Sequence, residues 1–268
     1  MIVTVANQKG GVGKTTTVVN LAAALAGLGK NVLVVDLDPQ GNATTGLGVS
    51  SRTDNPGVYD VLIEDVPMAQ TVVAVPESTG VRLVPASLDL AGAEIELVSM
   101  VAREYRLRKA LAAYLEEHPT DIVLIDCPPS LGLLTLNALV AAEDLLIPIQ
   151  CEYYALEGLG QLIRTVEMVR EHLNPELRIA AILLTMTDNR TNLSAQVEEE
   201  VRGFFGDLVL RTAVPRSVRL SEAPGHGRSA VAYDAGSRGA QAYLAAAAEF
   251  LGATIDLTDS EQTAQVAP

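Results

Sequence analysis

Gln8-Lys9-Gly10-Gly11-Val12-Gly13-Lys14-Thr15-Thr16 follows the apolar run Ile2-Val3-Thr4-Val5-Ala6 and leads into a helical pattern. Strand, glycine-rich turn and helix come in the order that phosphate binding requires. Backbone N–H groups in such a turn converge on an anion, the helix N-terminus adds a positive dipole end, and Lys14 supplies a point charge. The phosphate-loop pattern G-x-x-x-x-G-K-[ST] is met from Gly13 to Thr15, but Gln8 stands where its first glycine belongs. A second lysine, Lys9, opens the turn. The chain has only four lysines (Lys9, Lys14, Lys30 and Lys109), and two of them in one loop mark Lys9 as more than a solvated charge.

Working outward, the helix after the loop carries Val18, Leu21, Ala22, Leu25 and Leu28 at helical spacing, which predicts one buried face and a stop at Gly29. Val32-Leu33-Val34-Val35 is apolar at every position, as a strand covered on both faces must be. Further strands are expected at Val81–Pro85, Ile122–Ile125, Leu145–Ile149, Ile179–Thr185 and Leu208–Leu210. Helices are expected at Ala91–Met100, Tyr105–Glu117, Leu133–Ala142, Leu156–Leu173, Leu193–Phe205 and Gly239–Leu251. This alternation predicts an α/β fold with a mostly parallel, doubly wound sheet flanked by helices. Residues 1–252 read as a single domain, and 253–268, with Asp256, Asp259, Glu261 and no basic residue, as an acidic, disordered tail.

Composition bounds the function. With 268 residues, 49% of them hydrophobic, the chain can fill one large core. No run of eighteen apolar residues and no leader-like N-terminus are present, so a cytosolic protein is expected. Cys127 and Cys151 lack metal-ligand spacing and read as small core residues. A net charge of −14 disfavours nucleic acid as a partner unless a local patch supplies the cations.

Ligands of open α/β sheets gather at the carboxyl ends of the strands. There the chain places Asp36-Leu37-Asp38-Pro39-Gln40-Gly41-Asn42 after Val35, and Asp126-Cys127-Pro128-Pro129-Ser130 after Ile125. Thr15 beside the loop lysine and Asp126 at the end of an apolar strand together make a Mg²⁺ site. Either strand-end carboxylate could instead cap a turn or helix.

The loop Lys9–Thr16, the segments Asp36–Asn42 and Asp126–Ser130, and the later stretches Cys151-Glu152-Tyr153-Tyr154-Ala155-Leu156-Glu157-Gly158 and Pro215-Arg216-Ser217-Val218-Arg219-Leu220-Ser221-Glu222-Ala223-Pro224 closely resemble the deviant Walker A ATPases. Within these P-loop NTPases the match is to the chromosomal ParA (Soj) branch, over about residues 1–251; the branch shares the Gln8 departure. The chain starts at the loop strand, without the helix-turn-helix extension of larger plasmid ParA proteins. The resemblance implies ATP and Mg²⁺ as cofactors, with Gly10, Gly11, Val12, Gly13, Lys14, Thr15 and Thr16 around the phosphates. It implies Thr15 and Asp126 on the metal and Asp38 positioning the attacking water, with Asn42 assisting. Lys9 would cross an ATP-dependent homodimer to the partner subunit's phosphates, in the manner of an arginine finger. Glu152 would reach the ribose across the same dimer, and Pro215 with the segment 185–189, including Met186 and Asn189, would line the adenine pocket.

The family also implies a ParB-like partner, non-specific DNA binding on the nucleoid and no membrane. Residues 211–228 hold Arg211, Arg216, Arg219 and Arg228 against Glu222 alone, a local excess of three positive charges. Arg190 and Arg219 occupy positions that contact DNA in the family. Arginine pairs with phosphate without reading bases, so such binding would be salt-sensitive. Three rival functions remain. A MinD-type membrane cycle needs a basic amphipathic C-terminal helix, which an acidic tail cannot supply. An electron carrier would use the two cysteines for an iron–sulfur cluster. A regulator with vestigial hydrolysis would not need Lys14, Asp38 and Asp126 intact.

Overall fold

A computed structural model describes residues 1–50, 56–76, 78–152, 155–188 and 192–252. In chain order these form β1 (Ile2–Val5), α1 (Lys14–Gly27), β2 (Val32–Asp36), α2 (Asn42–Gly46), α3 (Val58–Ile63), β3 (Val73–Ala74), β4 (Val81–Val84), α4 (Leu90–Leu97), α5 (Arg106–Glu117) and β5 (Ile122–Asp126). There follow α6 (Leu133–Ala141), β6 (Asp144–Gln150), α7 (Ala155–His172), β7 (Arg178–Thr187), α8 (Asn192–Phe205), β8 (Val209–Pro215), α9 (Val218–Glu222), α10 (Ala230–Tyr233) and α11 (Arg238–Phe250).

The strands pair in the order β3-β4-β2-β5-β1-β6-β7-β8. Every pairing is parallel except that of β3 with β4. Because side chains alternate across a strand, the apolar runs divide cleanly between two cores. Val32 and Val34 of β2 and Leu124 of β5 pack with α1, α9 and α11 on one face. Leu33, Val35, Val123 and Ile125 pack with α3 to α8 on the other. Helices on both faces explain why these strands carry no polar alternation, and the doubly wound α/β fold expected from the sequence is the one observed.

The two ends of the chain close on each other. Thr17 of α1 meets the Tyr243 hydroxyl of α11 at 3.1 Å in the buried interior, and the Asn20 side chain accepts the Ala230 N–H at 2.7 Å. Ser229 and Ser237 cap α10 and α11, each accepting an N–H from three residues on, as small hydroxyl residues at N-caps do.

Two expectations need correction, and one segment holds elements that no expectation covered. Leu28 is not on the buried face: α1 ends at Gly27, so Leu28 lies past the last turn and is 39% exposed. The last strand runs to Pro215, because an edge strand tolerates Arg211 and Thr212 on its open side. The segment between β2 and β4 holds two short helices and the two-residue edge strand β3, elements too brief to set up a period.

Candidate nucleotide site

The loop between β1 and α1 is held from both sides. Asn7, at the carboxyl end of β1, donates to the Pro148 carbonyl of β6 at 2.7 Å and accepts the Lys9 N–H at 3.0 Å. Thr185 of β7 donates its hydroxyl to the Val12 carbonyl at 2.8 Å. Gly11 and Gly13 have φ of +74° and +89°, left-handed conformations that turn successive N–H groups toward one point and that a side chain would oppose. Thr17 N–H then bonds the Gly13 carbonyl at 2.8 Å and starts α1. No acidic residue occupies the first turn of α1, which leaves its N-terminus suited to an anion.

Around this loop the structure gathers Lys14, Asp38 and Asp126, all buried. Asp36 and Asp126 are register partners on β2 and β5, so the parallel pairing itself sets two carboxylates side by side. Burial lowers the Lys14 ammonium from its usual range, against the attraction of Asp126 and Asp38. Among the described residues its Nζ hydrogen-bonds the Lys9 carbonyl alone, at 3.4 Å. Asp126 is fully buried and neither carboxylate oxygen has a hydrogen-bond partner among the described residues. Burial first, then the charges of Asp36 and Asp38, push its pKa well above the carboxylate range, while the Thr15 hydroxyl and Lys14 pull it back. An orphaned buried carboxylate beside a hydroxyl and further carboxylates is a hard oxygen donor set, and it suits a magnesium ion.

Asp36, given no role from the sequence, anchors the segment after β2. Its Oδ2 accepts the Thr44 N–H at 2.7 Å and the Thr44 hydroxyl at 2.6 Å, and its Oδ1 accepts the Asp38 N–H at 3.3 Å. Burial lifts its pKa to about 6 in spite of those bonds. Asp38 in turn accepts the Gln40 N–H on Oδ1 at 3.0 Å. A cavity of about 300 Å³ lies between the loop and this segment, lined by Gly10, Gly11, Lys14, Thr15, Asp38, Asn42 and Met186. It shares Gly13, Thr16 and Met186 with a second cavity of about 320 Å³ lined also by Thr185, Pro215 and Tyr243. Two adjoining cavities of this size match the volume that a cofactor-sized ligand needs. Met186 holds φ at +51°, a strained conformation that side chains adopt at a cost of about 1–2 kcal/mol.

Lys9 and Glu152 meet each other. The Lys9 ammonium lies 3.0 Å from Glu152 Oε2, and the Gln150 amide donates to Oε1. Arg219 pairs with Glu222 at 2.9 Å and with Asp234 at 3.2 Å, so the patch loses charge to an acid outside the window read from the sequence. Asn189, Arg190, Tyr153, Tyr154 and the tail 253–268 lie outside the described residues. Both cysteines are buried and free, as their composition-level reading anticipated. No helix among the described residues is long and apolar enough to cross a membrane.

A glycine loop between a buried strand and a helix, with a lysine on its last turn and an aspartate on the neighbouring strand, defines a P-loop nucleoside-triphosphatase. Residues 1–179 match a family described as an AAA domain. Sporulation initiation inhibitor protein Soj of Bacillus subtilis is 54% identical over 248 residues, 92% of this chain and 97% of that protein. Chromosome partitioning protein ParA of Caulobacter vibrioides is 50% identical over 250 residues, 93% of each. A Mycobacterium smegmatis structure described as cobyrinic acid a,c-diamide synthase with bound ADP and magnesium superposes with a TM-score of 0.80 at 42% identity, covering 93% of each chain. The chain belongs to the ParA/Soj family of chromosome-partitioning ATPases.

Proposed function

We propose that this protein is an ATP-hydrolysing switch that closes as a nucleotide-dependent homodimer, coats DNA without sequence preference and is released when a ParB-like partner stimulates hydrolysis. The observation that carries the reading is Asp126, a carboxylate fully buried beside Thr15 and Lys14 whose oxygens reach no close hydrogen-bond partner among the described residues. Loop N–H groups from Gly10 to Thr16 and the Lys14 ammonium bind the β- and γ-phosphates. Thr15 and Asp126 hold the magnesium ion, which when bound neutralises phosphate charge. Asp38 has one carboxylate oxygen engaged by Gln40, and its other oxygen accepts a proton from the attacking water, with Asn42 assisting. Met186, Asn189 and Pro215 border the base.

Lys9 and Glu152 release each other as two subunits close, each turning to the partner's nucleotide. Their pair is about half exposed, and such a pair is worth only about 0–1 kcal/mol, so the exchange is cheap. Arg219 exchanges Glu222 and Asp234 for DNA phosphates on the same terms, together with Arg190. The relatives named for chromosome partitioning support this assignment of DNA and partner. The description of the mycobacterial structure raises an amide-forming reading instead. Both cysteines are buried, which leaves no exposed thiol among the described residues to attack an amide donor.

The test is ATP turnover with magnesium, alone and with DNA and the ParB-like partner. Slow basal hydrolysis raised by the two together is expected. Hydrolysis without stimulation by either removes the partition reading, and no hydrolysis removes the switch.

A further inference from the structure

Arg106, Ala110, Ala113 and Glu117 follow one another at steps of four, three and four along α5 and so share one side of it, flanked by Lys109 and Tyr114. Residues 65–69, the link that leaves α3, lie opposite. Two alanines in the middle of that side leave space unfilled. The result is a cleft of about 340 Å³ whose floor is the buried Val61, Met68 and Tyr114, a size within the range that small ligands occupy. It shares no lining residue with the two cavities beside the phosphate loop. At the start of α5 the Arg106 Nε donates to the Leu62 carbonyl of α3, which fixes the guanidinium. Its buried Nη2 lies 2.8 Å from Asp65 Oδ2 yet makes no hydrogen bond among the described residues. The cation is 14% exposed and the carboxylate 66%. Asp65 comes to it from the solvent side with φ at +57°, a left-handed conformation that Asp and Asn accept more readily than other side chains. Arg106 first, and then Lys109, hold the Asp65 carboxyl below its ordinary range, so both cations face the point where this carboxylate sits.

We propose that this cleft binds a small amphiphilic carboxylate, its apolar body over Val61, Met68 and Tyr114 and its head on Arg106 and Lys109 in place of Asp65. A guanidinium presents paired donors that a carboxylate fills two at a time, and one ion contact without a hydrogen bond leaves that pair open. Asp65 thus stands in for the ligand's head, and being exposed it regains water when displaced. Charge selects the head. With Asp65 turned to solvent, Arg106 and Lys109 against Glu117 leave one net positive charge, which matches a monoanion better than a phosphate dianion. The lining selects the body. Its one hydroxyl, that of Tyr114, accepts from Arg82 at 2.7 Å, and the His118 ring lies against the Tyr114 ring, so the floor offers hydrocarbon contact and suits an alkyl chain rather than a sugar.

The test is calorimetric titration of the full chain at about pH 8, where an ordinary imidazole is neutral, with octanoate as the probe and octylamine as the control. Saturable one-to-one binding of octanoate and none of octylamine are expected, and saturating ADP with magnesium should leave the octanoate isotherm unchanged. Asp65→Asn keeps a side chain that tolerates the left-handed backbone and removes the competing charge, so it should tighten octanoate about threefold or more. Lys109→Gln, at an exposed position, should weaken it about threefold or more. Ala113→Leu, which fills the cleft, should weaken it about tenfold or more, with the melting profile kept in all three variants. An Asp65→Asn protein that melts lower and binds octanoate no better makes the ion pair a fastener between α3 and α5 and overturns the site. So do unsaturable uptake, equal binding of the amine, competition by ADP, or parental affinity in either of the other two variants. Every arm reads binding, so the result stands apart from the ATP-switch reading.

Discussion

Lys14 and Asp38 sit within one cavity, yet their chemistry predicts opposite phenotypes. Lys14 is a buried cation whose one hydrogen bond among the described residues is long, so its charge is free to meet phosphate. Lys14→Ala should abolish ATP-dependent dimerisation on gel filtration. Among the described residues the Asp38 carboxylate accepts a hydrogen bond from the Gln40 N–H and none from the phosphate loop, so Asp38→Ala leaves the phosphate cradle intact and should trap an unhydrolysed dimer. A monomeric Asp38→Ala protein, or one with parental turnover, contradicts the role given to it. Lys9 supplies a sharper case. Its ion pair with Glu152 is half exposed, so Lys9→Ala should change the urea unfolding free energy by less than about 1 kcal/mol. Its turnover should nevertheless collapse, and a mixture with a catalytically dead subunit that keeps Lys9 should restore activity if the lysine acts in trans. A large stability loss would make Lys9 a structural residue.

The elements around the cavity are tied together by contacts that only the folded chain brings about. Gly48, after α2, has φ of +77°, and a Cβ there would lie 2.7 Å from the Gly227 carbonyl oxygen. Gly48→Ala therefore forces both a left-handed side chain, costing about 1–2 kcal/mol, and a backbone shift. It should lower stability by about 2 kcal/mol or more in urea unfolding. Gly27→Ala is the control: it lies in α1 with open space around its Cβ, and it should stabilise by about 0.5–1 kcal/mol. Equal effects of the two would mean that the approach of the α2 segment to residues 223–228 carries no strain. The same distinction decides what could be read in advance. The continuous apolar runs of β2 and β5 and the glycine loop carry their meaning locally, so the sheet and the phosphate cradle were legible. Thr44 on Asp36, Thr185 on Val12 and Glu152 on Lys9 join positions 8, 173 and 143 residues apart. Even the nearest of these spans a turn and a short helix, and no periodicity announces it.

At the scale of the whole molecule, the proposed DNA binding by a chain of net charge −14 requires one local cationic surface. The sequence window around Arg219 overstates that surface, because Asp234 arrives from the loop before α11 and takes one side of the guanidinium. This sets the prediction's form. Arg219 is about half exposed in both of its pairs, so trading carboxylate for phosphate costs little, and the gain comes from counterions released by the DNA. Arg219→Ala should weaken binding to all DNA sequences alike and flatten the slope of log K against log salt by about 2 per dimer, one phosphate contact being lost from each subunit. Basal hydrolysis and ATP-dependent dimerisation should survive, since Arg219 is remote from Lys14 and Asp126 in its contacts, while DNA-stimulated hydrolysis falls with binding. The paired control is Glu222→Gln, which leaves the cation in place and removes its competitor, and should tighten binding at the same salt. Parental affinity in Arg219→Ala at raised salt moves the DNA surface elsewhere, and loss of dimerisation moves Arg219 to the subunit interface.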